Sequence, residues 1–287
     1  MFWADWREIE KHNDWGVRDK DDATAAKWND DADGWERRSA HELEFAQKQV
    51  DALERITKEK TVIDVCCGSG PLTLPLIAKA KHVTAFDYNE NMLAYVKLKA
   101  AAKGATNIDY LRGNVNTIVP GKDFEPADIA VTRHSPAQGN ILRFSKFAKE
   151  YCYSLMLTYT PHKEHPVHKR GRWIRSSNEE INRTPRPDGR KYGFNIHFNL
   201  LYEAGANPEL HYVTETTMIT AHTPEDLAKK VFPMAFSPEF VEHIRQVSTQ
   251  NEDGEWVYKR IQTMSVLGWN PNDIQWDLLE KLGVDWE

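Results

Sequence analysis

The run Thr61-Val-Ile-Asp-Val-Cys-Cys-Gly-Ser-Gly70 constrains this chain more than any other, because it joins a strand to a turn and then to a helix. Thr61 to Val65 is β-branched and apolar apart from Asp64, the pattern of a central strand covered on both faces. Gly68 and Gly70 let the backbone turn tightly and lie close to a ligand, and Pro71 suits the first turn of a following helix. Further on, His82-Val-Thr-Ala-Phe-Asp87 reads as a second strand ending in a carboxylate. A doubly wound fold grips ribose hydroxyls from that position, so the pattern predicts a nucleotide-like cofactor.

The alternation continues. Helices are expected over Leu72 to Ala80 and Glu90 to Lys103, the latter ended by Gly104, with strands over Ile108 to Arg112 and Asp128 to Thr132. A helix near Leu142 to Glu150 and a strand over Cys152 to Thr158 follow. This order predicts an α/β fold: a Rossmann-like, doubly wound, mostly parallel sheet with helices on both faces and its ligands at the carboxyl ends of the strands. Beyond it, a helix from Phe194 to Ala204 capped by Gly205, a strand from His211 to Ile219 and a helix with Thr223 as N-cap are expected. Pro238 to Ser248 suits a helix, and Trp256 to Trp269 alternates as a last strand. Residues 1–57 are rich in Trp and charge, with helical spacing in Ala23 to Trp28 and Ala40 to Thr57, so they read as a helical cap. Residues 58–270 form the core, and 271–287 a C-terminal tail.

Asp64-x-Cys66-x-Gly68-x-Gly70 resembles the first motif of class I S-adenosylmethionine-dependent methyltransferases, Asp/Glu-x-Gly-x-Gly-x-Gly. Cys66 replaces the first glycine, as in methyltransferases of quinone biosynthesis. Asp87-Tyr-Asn-Glu-Asn-Met-Leu93 is similar to the second motif, with Met92 inside it, and Gly113-Asn114-Val115 falls where the adenine-binding motif does. The resemblance implies a seven-stranded sheet whose last strand is antiparallel, and S-adenosylmethionine as cofactor. It implies that Asp64 and the Cys66 to Gly70 backbone, Ser69 included, face the methionine moiety. Asp87 would take the ribose, Tyr88 and Val115 the adenine faces, and Asn114 the adenine amino group. In similar enzymes a leader closes over the site, which gives Trp28 in Lys27 to Ala32 a substrate contact; the alternative is a tryptophan packing the cap. A dinucleotide site would need Gly-x-Gly-x-x-Gly, but Pro71-Leu72-Thr73 stands at the third glycine and Asp64 would repel a diphosphate.

Methyl transfer from a sulfonium is an in-line displacement, so alignment matters most and a base is needed only if the acceptor keeps its proton. Thr132-Arg133-His134-Ser135-Pro136 ends the fourth strand, where this family places groups near the methyl. His134 is the candidate base, with an unperturbed pKa of about 6.5, and Tyr159 a candidate for orienting the acceptor. Arg133 suits a carboxylate, the donor's or the substrate's. Residues 162–191 carry nine Lys and Arg against four Asp and Glu in a chain of net charge -6, and Arg170, Arg172 and Arg175 are placed to grip an anion. A solvated loop is the plain alternative. His162, His165 and His168 sit among prolines with no acidic or cysteine partner at ligand spacing, so no metal is expected.

The overall acidity and the lack of base-methylating signatures argue against nucleic acid. Cys66, Cys67 and Cys152 lie in or beside predicted buried strands and cannot form a disulfide framework, which points to a reducing cytoplasm, and no run approaches the roughly 20 apolar residues of a membrane span. The expectation is an enzyme methylating a small anionic molecule. Its rivals are an RNA or protein methyltransferase docking through the basic insertion, and an S-adenosylmethionine-binding protein without turnover. Oligomeric state is left open.

Overall fold

The structure is a computed structural model that describes residues 5–11, 32–40, 42–159, 193–231 and 236–284. Its strands are β1 (Thr61–Val65), β2 (His82–Asp87), β3 (Ile108–Arg112), β4 (Ala127–Arg133), β5 (Ala148–Tyr159), β6 (Glu209–Ala221), β7 (Thr249–Gln250) and β8 (Trp256–Trp269). They form one sheet in the order β3-β2-β1-β4-β5-β8-β6, with the two-residue β7 paired to β8. The first five run parallel, with Val62 opposite both Val83 and Ile129, and the end of the sheet is antiparallel. This is the Rossmann-like α/β architecture expected from the alternation.

By packing, the chain divides into two units. One comprises 1–156, 192–213 and 265–287, and the other 157–191 and 214–264. β5, β6 and β8 each run from one into the other. In the first unit Ile63, Val65, Phe86, Ala130, Phe144, Phe147 and Trp269 form a core under the central strands, joined by Ile274 and Leu279 from the stretch after β8. In the second, Leu227, Ala228, Phe240, Val241, Ile244 and Tyr258 pack together from helices Pro224–Val231 and Pro238–Val247 and strand β8.

Two expected elements differ. The helix placed over Leu142 to Glu150 is only Ile141–Ser145, and β5 begins at Ala148, before Cys152. Phe144 and Phe147 are both fully buried at a spacing that mimics a helical face, but the chain has already turned between them to let Ala148 pair with Ala127. The helix expected from Ala40 to Thr57 spans Leu43–Asp51. Leu53 and Ile56 are buried as the periodicity demanded, yet they lie outside the helix, on either side of a turn at Glu54 and Arg55. Lys79, at the end of helix Thr73–Lys79, donates to the carbonyls of Val50, Asp51 and Leu53 at 2.8, 3.1 and 3.0 Å, supplying donors that a continued helix would otherwise provide. Ala23 to Trp28 lies outside the described residues.

Lys79 therefore ties the leader to the helix that follows β1. Lys79→Met keeps the aliphatic stem and removes the donor, and is expected to lower the stability of the ligand-free protein by about 1–3 kcal/mol. Urea unfolding checks this: a smaller shift in midpoint would show those carbonyls satisfied without Lys79.

Candidate functional site

The carboxyl ends of β1, β2 and β4 meet around the glycine turn, as the register places Val65 opposite Phe86 on one side and Thr132 on the other. The turn needs its glycines. Gly68 and Gly70 have φ of 55° and 87°, and a Cβ on Gly70 would stand 3.0 Å from Val96 Cγ2. Nothing lies within 4 Å of where a Cβ on Gly68 would stand. Cys66 adopts a φ of 59°, so the residue in the first glycine's place keeps a glycine-like backbone at some steric cost. Burial pushes its thiol well above the usual range, as it does for Cys67, so neither is a ready nucleophile.

Two carboxylates flank this turn. Asp64 is 2% exposed and accepts from Thr73 Oγ1 at 2.6 Å. Burial raises its pKa to about 7, with the Thr73 hydroxyl opposing, Asp87 adding to the rise and the Arg133 charge opposing it. Asp87 accepts from the amide of Gly68 through Oδ2 and from that of Asn89 through Oδ1, both at 2.8 Å. Burial raises it to about 6 against those amides. Asn89 in turn caps helix Glu90–Ala102 by accepting from Asn91 and Met92, so the end of β2, the turn and the helix start form one hydrogen-bonded unit.

The adenine-side residues sit beside it. Gly113 N donates to Asp87 O at 3.1 Å, and a Cβ on Gly113 would meet Ile118 and Phe86 at 2.9 and 3.0 Å. Asn114 and Val115 are buried, Asn114 Oδ1 accepts from Asn116 N, and Met92 is buried while Tyr88 is half-buried. Arg143 clamps the same loop by donating to the carbonyls of Val115 and Ile118 at 3.0 and 2.7 Å.

After β4 the chain turns through His134, whose φ of 49° is unusual for a side chain of its size. Ser135-Pro-Ala-Gln138 closes a capping box at the start of the short turn Pro136–Gly139, and Gln138 Nε2 donates to Ser154 Oγ and the Leu155 carbonyl at 2.9 Å. Behind this turn lies a buried cluster. Glu10 accepts from Ile141 N at 2.9 Å and pairs with Arg7, while His197 stands 3.4 Å from Glu10 with its pKa lowered to about 4 by burial. At that pKa His197 is neutral, so Arg7 supplies the positive charge beside Glu10.

The structure thus gathers Asp64, Cys66, Gly68, Ser69, Gly70, Asp87, Met92, Asn114, Val115, Arg133 and His134 around one set of strand ends. Trp28, Arg170, Arg172 and Arg175 lie outside the described residues. Tyr159 closes β5, and its side chain is not described. Sequence reasoning missed Thr73, Arg143, Glu42 and the Glu10–His197 cluster. The Ser-x-x-Gln capping signature was readable; Thr73 meets Asp64 only once the glycine turn folds back, and the others are contacts between distant segments that carry no local signal. Among the described residues no group of three or more His, Cys, Asp and Glu is placed to hold a metal ion, and no helix is long and apolar enough to cross a membrane.

Residues 62–143 match a family model described as a methyltransferase domain. The chain is 29% identical over 102 residues to the demethylmenaquinone methyltransferase of Listeria monocytogenes serotype 4a, a match covering 34% of this chain and 43% of that protein. An uncharacterized RNA methyltransferase of Listeria innocua matches at 32% over 74 residues, 26% of this chain and 16% of that protein. The chain therefore spans less than half the length of these curated relatives. A solved structure from Bacillus halodurans C-125, itself only provisionally assigned as a methyltransferase, superposes with a TM-score of 0.50 at 17% identity, over 78% of this chain and 98% of that one. Residues 62–143, which hold the glycine turn and the ends of β1, β2 and β4, are thus similar to a methyltransferase domain, and the sheet has the Rossmann-like methyltransferase fold.

The raised pKa values fix a sign for pH dependence. A carboxyl raised on folding favours the folded state when protonated; its contribution is complete below about 4 and is lost as pH rises through about 6 for Asp87 and about 7 for Asp64. Asp64→Asn is therefore expected to flatten the loss of stability of the ligand-free protein between pH 4 and 7. Urea midpoints at pH 5 and pH 8 for both proteins test it, and an unchanged pH difference would contradict the assignment.

Proposed function

We propose that the chain is an S-adenosylmethionine-dependent methyltransferase that transfers the methyl in line to a small, anionic molecule. The observation that carries the reading is a pair of carboxylates, the buried Asp64 and the half-buried Asp87, on either side of a glycine turn with Arg133 close by. Such a set of groups suits a ligand with a cationic tail, a free carboxylate and a diol better than a pyrophosphate. Two buried polar atoms without a hydrogen-bond partner, Ser69 Oγ in the turn and Arg133 Nε at its edge, fit the same ligand. Asp64 would face the ammonium group, Ser69 and the turn the methionine moiety, and Arg133 its carboxylate. Asp87 would take the ribose hydroxyls, Tyr88 and Val115 the adenine faces, with Met92 beneath, and Asn114 its amino group.

When bound, S-adenosylmethionine supplies an electrophilic methyl on a sulfonium, so the protein's task is alignment. His134, held at the turn after β4, is assigned to receive the acceptor's proton, and Tyr159 to orient the acceptor. Arg170, Arg172 and Arg175 would grip its anionic group, and Trp28 would cover it. Matches to small-molecule methyltransferases, the demethylmenaquinone enzymes among them, favour a small substrate over a macromolecule. The RNA methyltransferase match and the basic stretch 162–191 support a second reading, RNA docking, which strong salt dependence of substrate affinity would favour.

The test is transfer of labelled methyl from S-adenosylmethionine to a panel of carboxylate- and phosphate-bearing acceptors. With an acceptor in hand, His134→Ala is expected to lower turnover about a hundredfold while cofactor affinity holds; unchanged turnover would remove the base. Asp87→Ala is expected to weaken cofactor binding by about 1.5–3 kcal/mol through lost charged hydrogen bonds. Undiminished affinity in titration would remove Asp87 from the ribose site.

A further inference from the structure

Glu42 occupies the N-cap position of helix Leu43–Asp51 but does not cap it. Ser, Thr, Asp and Asn serve that position because a short oxygen-bearing side chain reaches back to the free amides; Glu42 makes no such bond. Its carboxylate instead reaches Arg133, 91 residues away, at 2.6 Å from Nη2. The Arg133 side chain is 10% exposed and that of Glu42 is 21% exposed, so this is not a pair freely screened by solvent.

The geometry of a guanidinium makes the remaining edge informative. Each Nη carries two hydrogens and Nε one, so Nη2 can bond Glu42 with one hydrogen while its other, alongside Nε, presents a side-on fork to a second carboxylate. Nε is buried and has no hydrogen-bond partner among the described residues. The residue follows Thr132, which pairs with Val65 at the end of β1, so the fork belongs to the strand ends that hold the glycine turn. A buried donor left unsatisfied costs free energy that an incoming carboxylate recovers.

We propose that Glu42 is a positioning residue for the cofactor: it fixes the Arg133 guanidinium so that the Nε edge receives the carboxylate of the donor's amino-acid tail, making the N-terminal leader part of the binding site. The inference rests on the cofactor reading given above. It follows that the leader acts selectively on ligands that carry the tail.

The experiment is calorimetric titration of the full chain, wild type and Glu42→Gln, with S-adenosylhomocysteine and with methylthioadenosine, the same nucleoside without the amino-acid tail. Glu42→Gln is expected to weaken S-adenosylhomocysteine about fivefold and to leave methylthioadenosine unchanged; in an Arg133→Met background it should have no further effect on either. Methylthioadenosine also reports the integrity of the site, and Glu42→Ala provides a second truncation. Equal weakening of both ligands, no change in either, or tighter binding of S-adenosylhomocysteine overturns the proposal. Wild-type protein that binds neither ligand overturns the cofactor reading together with it, whereas wild-type protein that gains nothing from the tail overturns this proposal alone.

Discussion

The site depends on one half-buried carboxylate at the end of β2. Asp87 accepts the Gly68 amide with one oxygen and the Asn89 amide with the other. The turn after β1, the end of β2 and the start of helix Glu90–Ala102 are thereby locked together by a single side chain. An acceptor of this kind satisfies amides that a glycine-rich turn and a helix start leave open. The charge is costly to bury, which is why its pKa is raised to about 6 even with those amides in place. A ligand that brings hydroxyl donors relieves that cost, so the feature that organises the turn is the one that selects what binds in it.

The same economy runs through the neighbouring strand ends. Asp64 holds Thr73 in the first turn of helix Thr73–Lys79 and is raised to about 7. Arg133 offsets part of that rise and is itself held by Glu42. The turn carrying His134 is fixed by Gln138 and by the Glu10 cluster, so backbone strain at His134 is held by the hydrogen-bonded frame that follows it. A base that must meet an acceptor in line gains from being held this way.

Much of this was legible in the sequence. β3 and β8 lie where the sequence pattern placed them, from Ile108 to Arg112 and from Trp256 to Trp269, because both are rich in β-branched and aromatic residues interleaved with polar ones. The carboxylates and glycines of the turn were equally visible, since their spacing is dictated by backbone geometry. The limits were physical too. Phe144 and Phe147 imitate a helix where the chain turns into β5, because burial and not periodicity sets their spacing. Glu42 with Arg133, Arg143 with the loop after β3, and Glu10 with His197 are pairings across long stretches of chain, and nothing in the local sequence marks either partner.

The central claim is that the buried Asp64 and the half-buried Asp87 receive a ligand with a cationic tail. The most direct measurement is the proton balance of S-adenosylhomocysteine binding near pH 6.5, titrated in two buffers of different ionisation enthalpy, with NAD as control. In the ligand-free protein Asp64, with a pKa of about 7, is largely protonated at that pH. An ammonium group placed beside it favours the ionised form, so binding is predicted to release protons, and NAD is predicted not to bind. Binding of NAD without binding of S-adenosylhomocysteine, or binding of S-adenosylhomocysteine with no proton release, would contradict the account.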